Sequence, residues 1–257
     1  MDVDRIQFVI ANGWRLALPL VGTVVARQTI ASMRHATVHT RFVLGALIFG
    51  IICAPLLRIP QWRQQKLRPK AAHVASVVVS VLIPVVAIVT TDGSMRPRFR
   101  EVLTMLWLPS VAEELIFRVA LPRSLVEVML PGRQKEGAAF HALIAIVLAQ
   151  MIFALSHLIP VGHLYPAGTW PEFFRLLTMG MVFASLVRVV GLGFTVGIHA
   201  GVNALAMFGT ASFQGSVGNV VLVIGILLCT IAVEVNMCYK LQNHSPDRQH
   251  LPHQTHL

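Results

Sequence analysis

Val111-Ala-Glu-Glu-Leu-Ile-Phe-Arg118 sets two adjacent carboxylates and a guanidinium inside an otherwise apolar run. Only 32 of the 257 residues are Lys, Arg, Asp or Glu, and three of them fall between Glu113 and Arg118. If this run crosses a bilayer, each charge is costly and is kept only for a partner or a task. The bland reading is an ion pair that ties helices together, because buried charges usually pair. The choice depends on what surrounds the stretch.

The surroundings are those of a membrane protein. The chain is 55% hydrophobic with a mean hydropathy of +0.70, beyond the composition of a soluble domain. Several apolar runs reach the roughly 20 residues that a helix needs to cross the hydrocarbon core. The formal charge of +10 comes mostly from Lys and Arg between these runs, where they suit cytoplasmic loops and lipid headgroups. Aromatic content is 7% and no basic stripe alternates with stacking residues, so nucleic acid is discarded as a partner. Cys53, Cys229 and Cys238 lie in or beside apolar runs without CxxC spacing and read as packing residues. Asp2 and Asp4 precede the first apolar stretch, so no removable signal peptide is expected. Gln-Thr-His-Leu at the C-terminus is no lipidation signal.

Taken in order, the runs predict an all-α, polytopic bundle forming one domain over residues 1–257. Residues 7–26 are the weakest span, interrupted by Asn12, Arg15 and Pro19, and read equally well as an interfacial helix. Residues 42–57 follow, ended by Pro60, and then a linker with Arg58, Arg63, Lys66, Arg68 and Lys70 and no acid, the strongest cytoplasmic signal in the chain. Further spans are expected at 73–91, from about 101 to 130, and at 138–159, 172–190, 194–213 and 217–238. Pro131-Gly132 ends the fourth, and Gly191 with Gly193 makes the turn before the seventh. The count is eight, or seven if the first is interfacial. From about residue 240 a polar, histidine-bearing tail is read as solvated and disordered.

The polar residues inside these spans form three sets. Glu114 and Arg118 are four apart and face each other on a helix. Glu113 is rotated by about 100° from Glu114, so the two carboxylates cannot do the same job. Phe153-Ala-Leu-Ser-His157 puts a ring and an imidazole on one face, and His199-Ala-Gly-Val-Asn203 an imidazole and a carboxamide. Ala200 and Gly201 allow close helix approach. His141 and His163, near span ends, are left as structural histidines. A carboxylate in a low-dielectric chamber becomes a usable general base. An imidazole can share the proton of a water, and an imidazole with a carboxamide can donate to a developing oxyanion. That is a hydrolase's toolkit without an obvious nucleophile. HExxH, Gly-x-Gly-Asp and Gly-x-Ser-Gly are all absent, and Ser156 is expected not to face its neighbour His157.

The three sets match, in order, EExxxR (Glu113 to Arg118), FxxxH (Phe153 to His157) and HxxxN (His199 to Asn203). The chain thereby resembles the CAAX protease and bacteriocin-processing enzymes, the CPBP or Abi group, which include the type II CAAX prenyl endopeptidases. The motifs cover roughly residues 105–208, within a catalytic core of about 101–213. The resemblance implies an eight-span bundle, resident in the cell membrane, with a glutamate-dependent endopeptidase site. It implies that Glu113 activates water, His157 assists, His199 and Asn203 form the oxyanion hole, and Glu114 with Arg118 orients the site. No cofactor or metal is implied. The partners are a peptide or protein substrate at the membrane and the lipid bilayer.

Three other readings stay open at the level of sequence. A non-catalytic scaffold or bacteriocin-immunity protein could use the same bundle to bind a membrane protein. Two glutamates and two histidines could ligate zinc in a metalloprotease. Intramembrane carboxylates also serve as relays in proton or ion transporters, though no internal repeat is evident.

Overall fold

The computed structural model describes residues 12–33, 35–57, 78, 80–85, 102–130, 138–161 and 167–208. The linker Arg58–Lys70, most of the span expected at 73–91, the span at 217–238, His163, Cys229, Cys238 and the C-terminal tail lie outside them. Among the described residues the regular elements are helices: α1 (Trp14–Ser32), α2 (Val38–Leu57), α3 (Val102–Met129), α4 (Ala138–Leu158), α5 (Trp170–Val189) and α6 (Leu192–Phe208). Residues 80–85 add a further helical stretch.

Two helices are long and apolar enough to span a bilayer among the described residues, Thr40–Leu57 in α2 and Phe140–Leu158 in α4. Their outer faces are apolar as lipid requires: Leu47 and Ile51 on α2, and Leu148, Met151 and Leu155 on α4, are exposed. The last three recur at i, i+3 and i+7 and so form one stripe.

Among the described residues the weakest expected span is the helix Trp14–Ser32, which runs past its expected end at residue 26. Two of its interruptions, Arg15 and Pro19, are accommodated within the bundle. Arg15 Nη1 donates to Ser124 O at 3.0 Å and Ser124 Oγ at 3.1 Å, and lies 3.3 Å from Glu127 Oε2 on α3. Pro19 is buried inside the helix. α1 packs against α2 and α4 as a member of the bundle. Close approach to α2 depends on Gly22, where a Cβ would stand 3.1 Å from the Phe49 ring and 3.2 Å from Cys53 Sγ. Cys53 is a buried free thiol in this seam.

α3 is one helix in four segments. The α-helical turns Leu108–Glu114 and Leu121–Met129 are each preceded by a π-helical stretch, Val102–Trp107 and Leu115–Ala120. The cause lies in Pro109 and Pro122, one residue into each α segment. A proline inside a helix removes an N–H and clashes with the carbonyl four residues back, and a shift to five-residue bonding moves that carbonyl aside. Leu121 N–H accordingly donates to Ile116 O. In that register the Phe117 carbonyl faces Pro122, which has no proton to give. Gln150 of α4 supplies it, with Nε2 2.9 Å from Phe117 O. Gly180 on α5 makes the room, since a Cβ there would stand 2.9 Å from Gln150 Oε1.

α5 starts on Thr169, whose hydroxyl accepts the Glu172 N–H at 3.4 Å, and ends at a turn through Gly191 with φ 95°. Only Gly191 makes this turn. Gly193, expected to share it, is already in the first turn of α6. α6 packs on α3 and α5, and Gly197 lets it approach the backbone of Ser80, where a Cβ would be 2.7 Å from Ser80 Cα. Ser80 Oγ in turn accepts from Trp107 Nε1 of α3 at 3.0 Å. These contacts bring α3, α4 and α6 together around the charged stretch.

Candidate active site

Glu113 and Glu114 diverge from adjacent positions on α3. Glu114 is wholly buried; its Oε1 accepts the His199 Nδ1 proton at 2.8 Å and lies 3.6 Å from Arg118 Nη2. The Arg118 side chain is equally inaccessible, with its guanidinium 4.0 Å from the Phe153 ring centre and 6.0 Å from those of Phe117 and Phe183. A desolvated guanidinium is thus held by one carboxylate and by aromatic faces, whose negative quadrupoles favour a cation.

Glu113 points the other way. Its Oε1 is 3.9 Å from His157 Nε2 and its Oε2 is 3.7 Å from His199 Nε2. Its side chain keeps 26% exposure, against none for Glu114, so one carboxylate is open to a ligand and the other is not. Gaps of this length between polar groups suit a bridging water.

Hydrogen bonds fix both rings. His157 Nδ1 lies 2.8 Å from the Phe153 carbonyl, which can only accept, so this nitrogen carries the proton and Nε2 presents its lone pair toward Glu113. The same carbonyl accepts Ser156 Oγ at 2.7 Å, which brings that hydroxyl within 3.3 Å of His157 Nδ1. The two neighbours therefore do meet, contrary to the expectation from helical rotation, because both lean back on one acceptor. The contact is not a nucleophile–base pair, since the protonated nitrogen faces the serine. His199 donates through Nδ1 to Glu114 and stacks on Phe183, with ring centres 4.8 Å apart and planes at 29°. Asn203 Nδ2 donates to Ser110 Oγ at 3.4 Å, and Ser110 donates onward to Leu106 O at 2.8 Å.

A cavity of about 390 Å³ opens onto this cluster, with Glu113, His157 and Asn203 in its lining. Its remaining lining is largely apolar and comes from α1, α2 and α3, including Ala26, Ile30, Phe49, Met105 and Ala112, with Arg27 as a cation. Among the described residues no three His, Cys, Asp or Glu side chains are grouped so as to hold a metal ion. All six residues expected from the sequence thus fall in one neighbourhood: Glu113, Glu114 and Arg118 on α3, His157 on α4, His199 and Asn203 on α6. Sequence reasoning missed Ser110, Phe183 and Arg27. Ser110 stands one helical turn before Glu113 and had that signal; Phe183 and Arg27 lie on other helices and had none.

Residues 96–205 match the family model of the type II CAAX prenyl endopeptidase, Rce1-like. No curated protein matches the chain, and no solved structure does. The matched segment runs through α3, α4, α5 and most of α6 and includes all six of the residues expected from the sequence. Over residues 96–205 the chain is thus similar to the type II CAAX prenyl endopeptidases of the Rce1-like family, consistent with the CPBP resemblance of its motifs.

Proposed function

We propose that this protein is an intramembrane endopeptidase that hydrolyses a peptide bond in a membrane-associated tail or leader peptide. The observation that carries the reading is the position of Glu113, open to the cavity and facing two imidazoles at 3.7 and 3.9 Å, while Glu114 is buried against His199 and Arg118. Glu113 takes a proton from a water held between its carboxylate and His157 Nε2. The resulting hydroxide attacks the scissile carbonyl from the cavity, and collapse of the tetrahedral intermediate breaks the C–N bond as Glu113 passes the proton it took to the leaving amine. Asn203, steadied by Ser110, donates to the oxyanion. His199 can donate there through Nε2 only while both its nitrogens carry protons, because Nδ1 is committed to Glu114. Glu114 and Arg118 orient His199. Membrane residence with eight spans, or seven if α1 lies in the interface, completes the proposal.

The test is release of the terminal peptide from a probe ending in a prenylated CAAX sequence, with wild-type and Glu113→Gln protein compared in nanodiscs. General-base catalysis is worth about 10²–10⁴-fold, so the variant is expected to lose at least a hundredfold. Equal cleavage by both would overturn the reading. Inactivation by a chelator with rescue by Zn²⁺ would replace the glutamate base with a metalloprotease.

A further inference from the structure

We propose that Arg27 of α1 is a positioning residue for His157, so that the site is completed by a helix outside the segment that matches the family. The inference deepens the endopeptidase reading and depends on it. Arg27 Nη1 donates to the main-chain carbonyls of Ser156 and His157, each at 3.2 Å. Both belong to the last turn of α4, which ends at Leu158. Carbonyls there have no donor within the helix, and a cation suits the negative end of the helix dipole. The next carbonyl, Leu158 O, is taken by Gly168 N–H at 3.1 Å.

His157 is thereby braced at two points. Arg27 holds its carbonyl, the Phe153 carbonyl one turn back holds Nδ1, and Nε2 is left directed at Glu113. Arg27 also lines the cavity beside Glu113 and His157, which puts its charge at the site rather than at the far side of α1. General clamping of α1 onto the bundle has a separate agent in Arg15, bonded to Ser124 and close to Glu127. A displacement of about 1 Å in a reacting group can cost on the order of a hundredfold in rate, so slack in the last turn of α4 would show in turnover.

Kinetics on the prenylated CAAX probe test this with full-length wild type, Arg27→Gln, Arg27→Lys, Arg15→Gln and Glu113→Gln. Arg27→Gln is expected to lower kcat at least tenfold with KM within twofold, because the apolar walls that hold substrate are intact. Arg27→Lys, which keeps the charge and one donor direction, is expected to recover part of the loss. Arg15→Gln is expected to lower thermal stability in detergent while leaving kcat unchanged. Wild-type kcat in Arg27→Gln, a change confined to KM, or an equal fall in kcat for Arg15→Gln would each overturn the proposal. If Arg27→Gln does not fold, Arg27→Lys decides: a reduced kcat at unchanged KM supports the role, and a wild-type kcat overturns it. Failure of the wild type to cleave, or cleavage by Glu113→Gln, overturns the endopeptidase reading and takes this inference with it. Silent Arg27 variants beside an inactive Glu113→Gln overturn the inference alone.

Discussion

At the scale of single residues, the two adjacent glutamates differ in what surrounds them, and their substitutions should differ in kind. Glu113→Gln removes a partly exposed carboxylate whose neighbours are 3.7 and 3.9 Å away, so activity falls and the melting temperature in detergent stays close to wild type. Glu114→Gln removes the buried carboxylate that lies 3.6 Å from the guanidinium of Arg118. Breaking a buried pair by removing one partner costs about 3–5 kcal/mol, so thermal unfolding should move down by many degrees and activity should fall as well. A variant pair losing stability equally would contradict this division of labour. Asn203→Ala should lower kcat by roughly 10²–10³, the magnitude of one oxyanion donor. Ser110→Ala leaves the carboxamide present but unsteadied and should cost much less, which parallel kinetics on the same probe would reveal.

At the scale of elements, α3 carries the charged stretch through a helix that two prolines force into alternating registers. The second π segment contains Arg118 and the orphaned Phe117 carbonyl, and Gln150 caps that carbonyl from α4. Gln150→Leu should destabilise by about 1–3 kcal/mol, the cost of an unsatisfied buried polar group. Pro122→Ala returns an N–H at the position that faces Phe117 O. In that background the cost of Gln150→Leu should shrink, and a double-mutant cycle read by thermal unfolding measures the coupling. Independent, additive effects would mean that the proline is not what orphans the carbonyl. Gly180→Ala should cost stability through the same group, because its Cβ would press on Gln150 Oε1 at 2.9 Å.

At the scale of the whole molecule, the cavity joins the site to the N-terminal helices. Glu113, His157, Asn203 and the α3 lining come from the matched segment, and the rest of the lining comes from α1 and α2. Filling it should act on substrate rather than on folding. Ala46, which lines the cavity from α2, is the place to do so: Ala46→Phe is expected to raise KM severalfold on the prenylated probe, with detergent stability near wild type. An unchanged KM would show that substrate reaches Glu113 by another route. The exposed apolar stripes on α2 and α4 belong against lipid, so the chain should stay with membranes through alkaline carbonate washing.

Much of this was legible in the sequence because it depends on helical period alone. Long apolar runs mark helices whatever their neighbours do, and the bounds expected for the spans near 42–57, 101–130, 138–159 and 172–190 lie within a few residues of α2 to α5. The i, i+4 spacing sets Glu114 beside Arg118 and Phe153 beside His157, since one helix turn is a local quantity. The divergence of the two glutamates is equally local, fixed by the rotation between adjacent residues. What each carboxylate meets after that rotation is not local. That Glu114 receives His199, that Asn203 leans on Ser110, that Phe183 lies under an imidazole and that Arg27 caps α4 depend on how separate helices cross. No spacing along the chain encodes a crossing, which is settled by close-approach residues such as Gly22, Gly180 and Gly197 and by the proline registers of α3. The Val111–Arg118 stretch thus carries its own ion pair in its sequence, but only packing against α4 and α6 turns its other carboxylate toward two imidazoles.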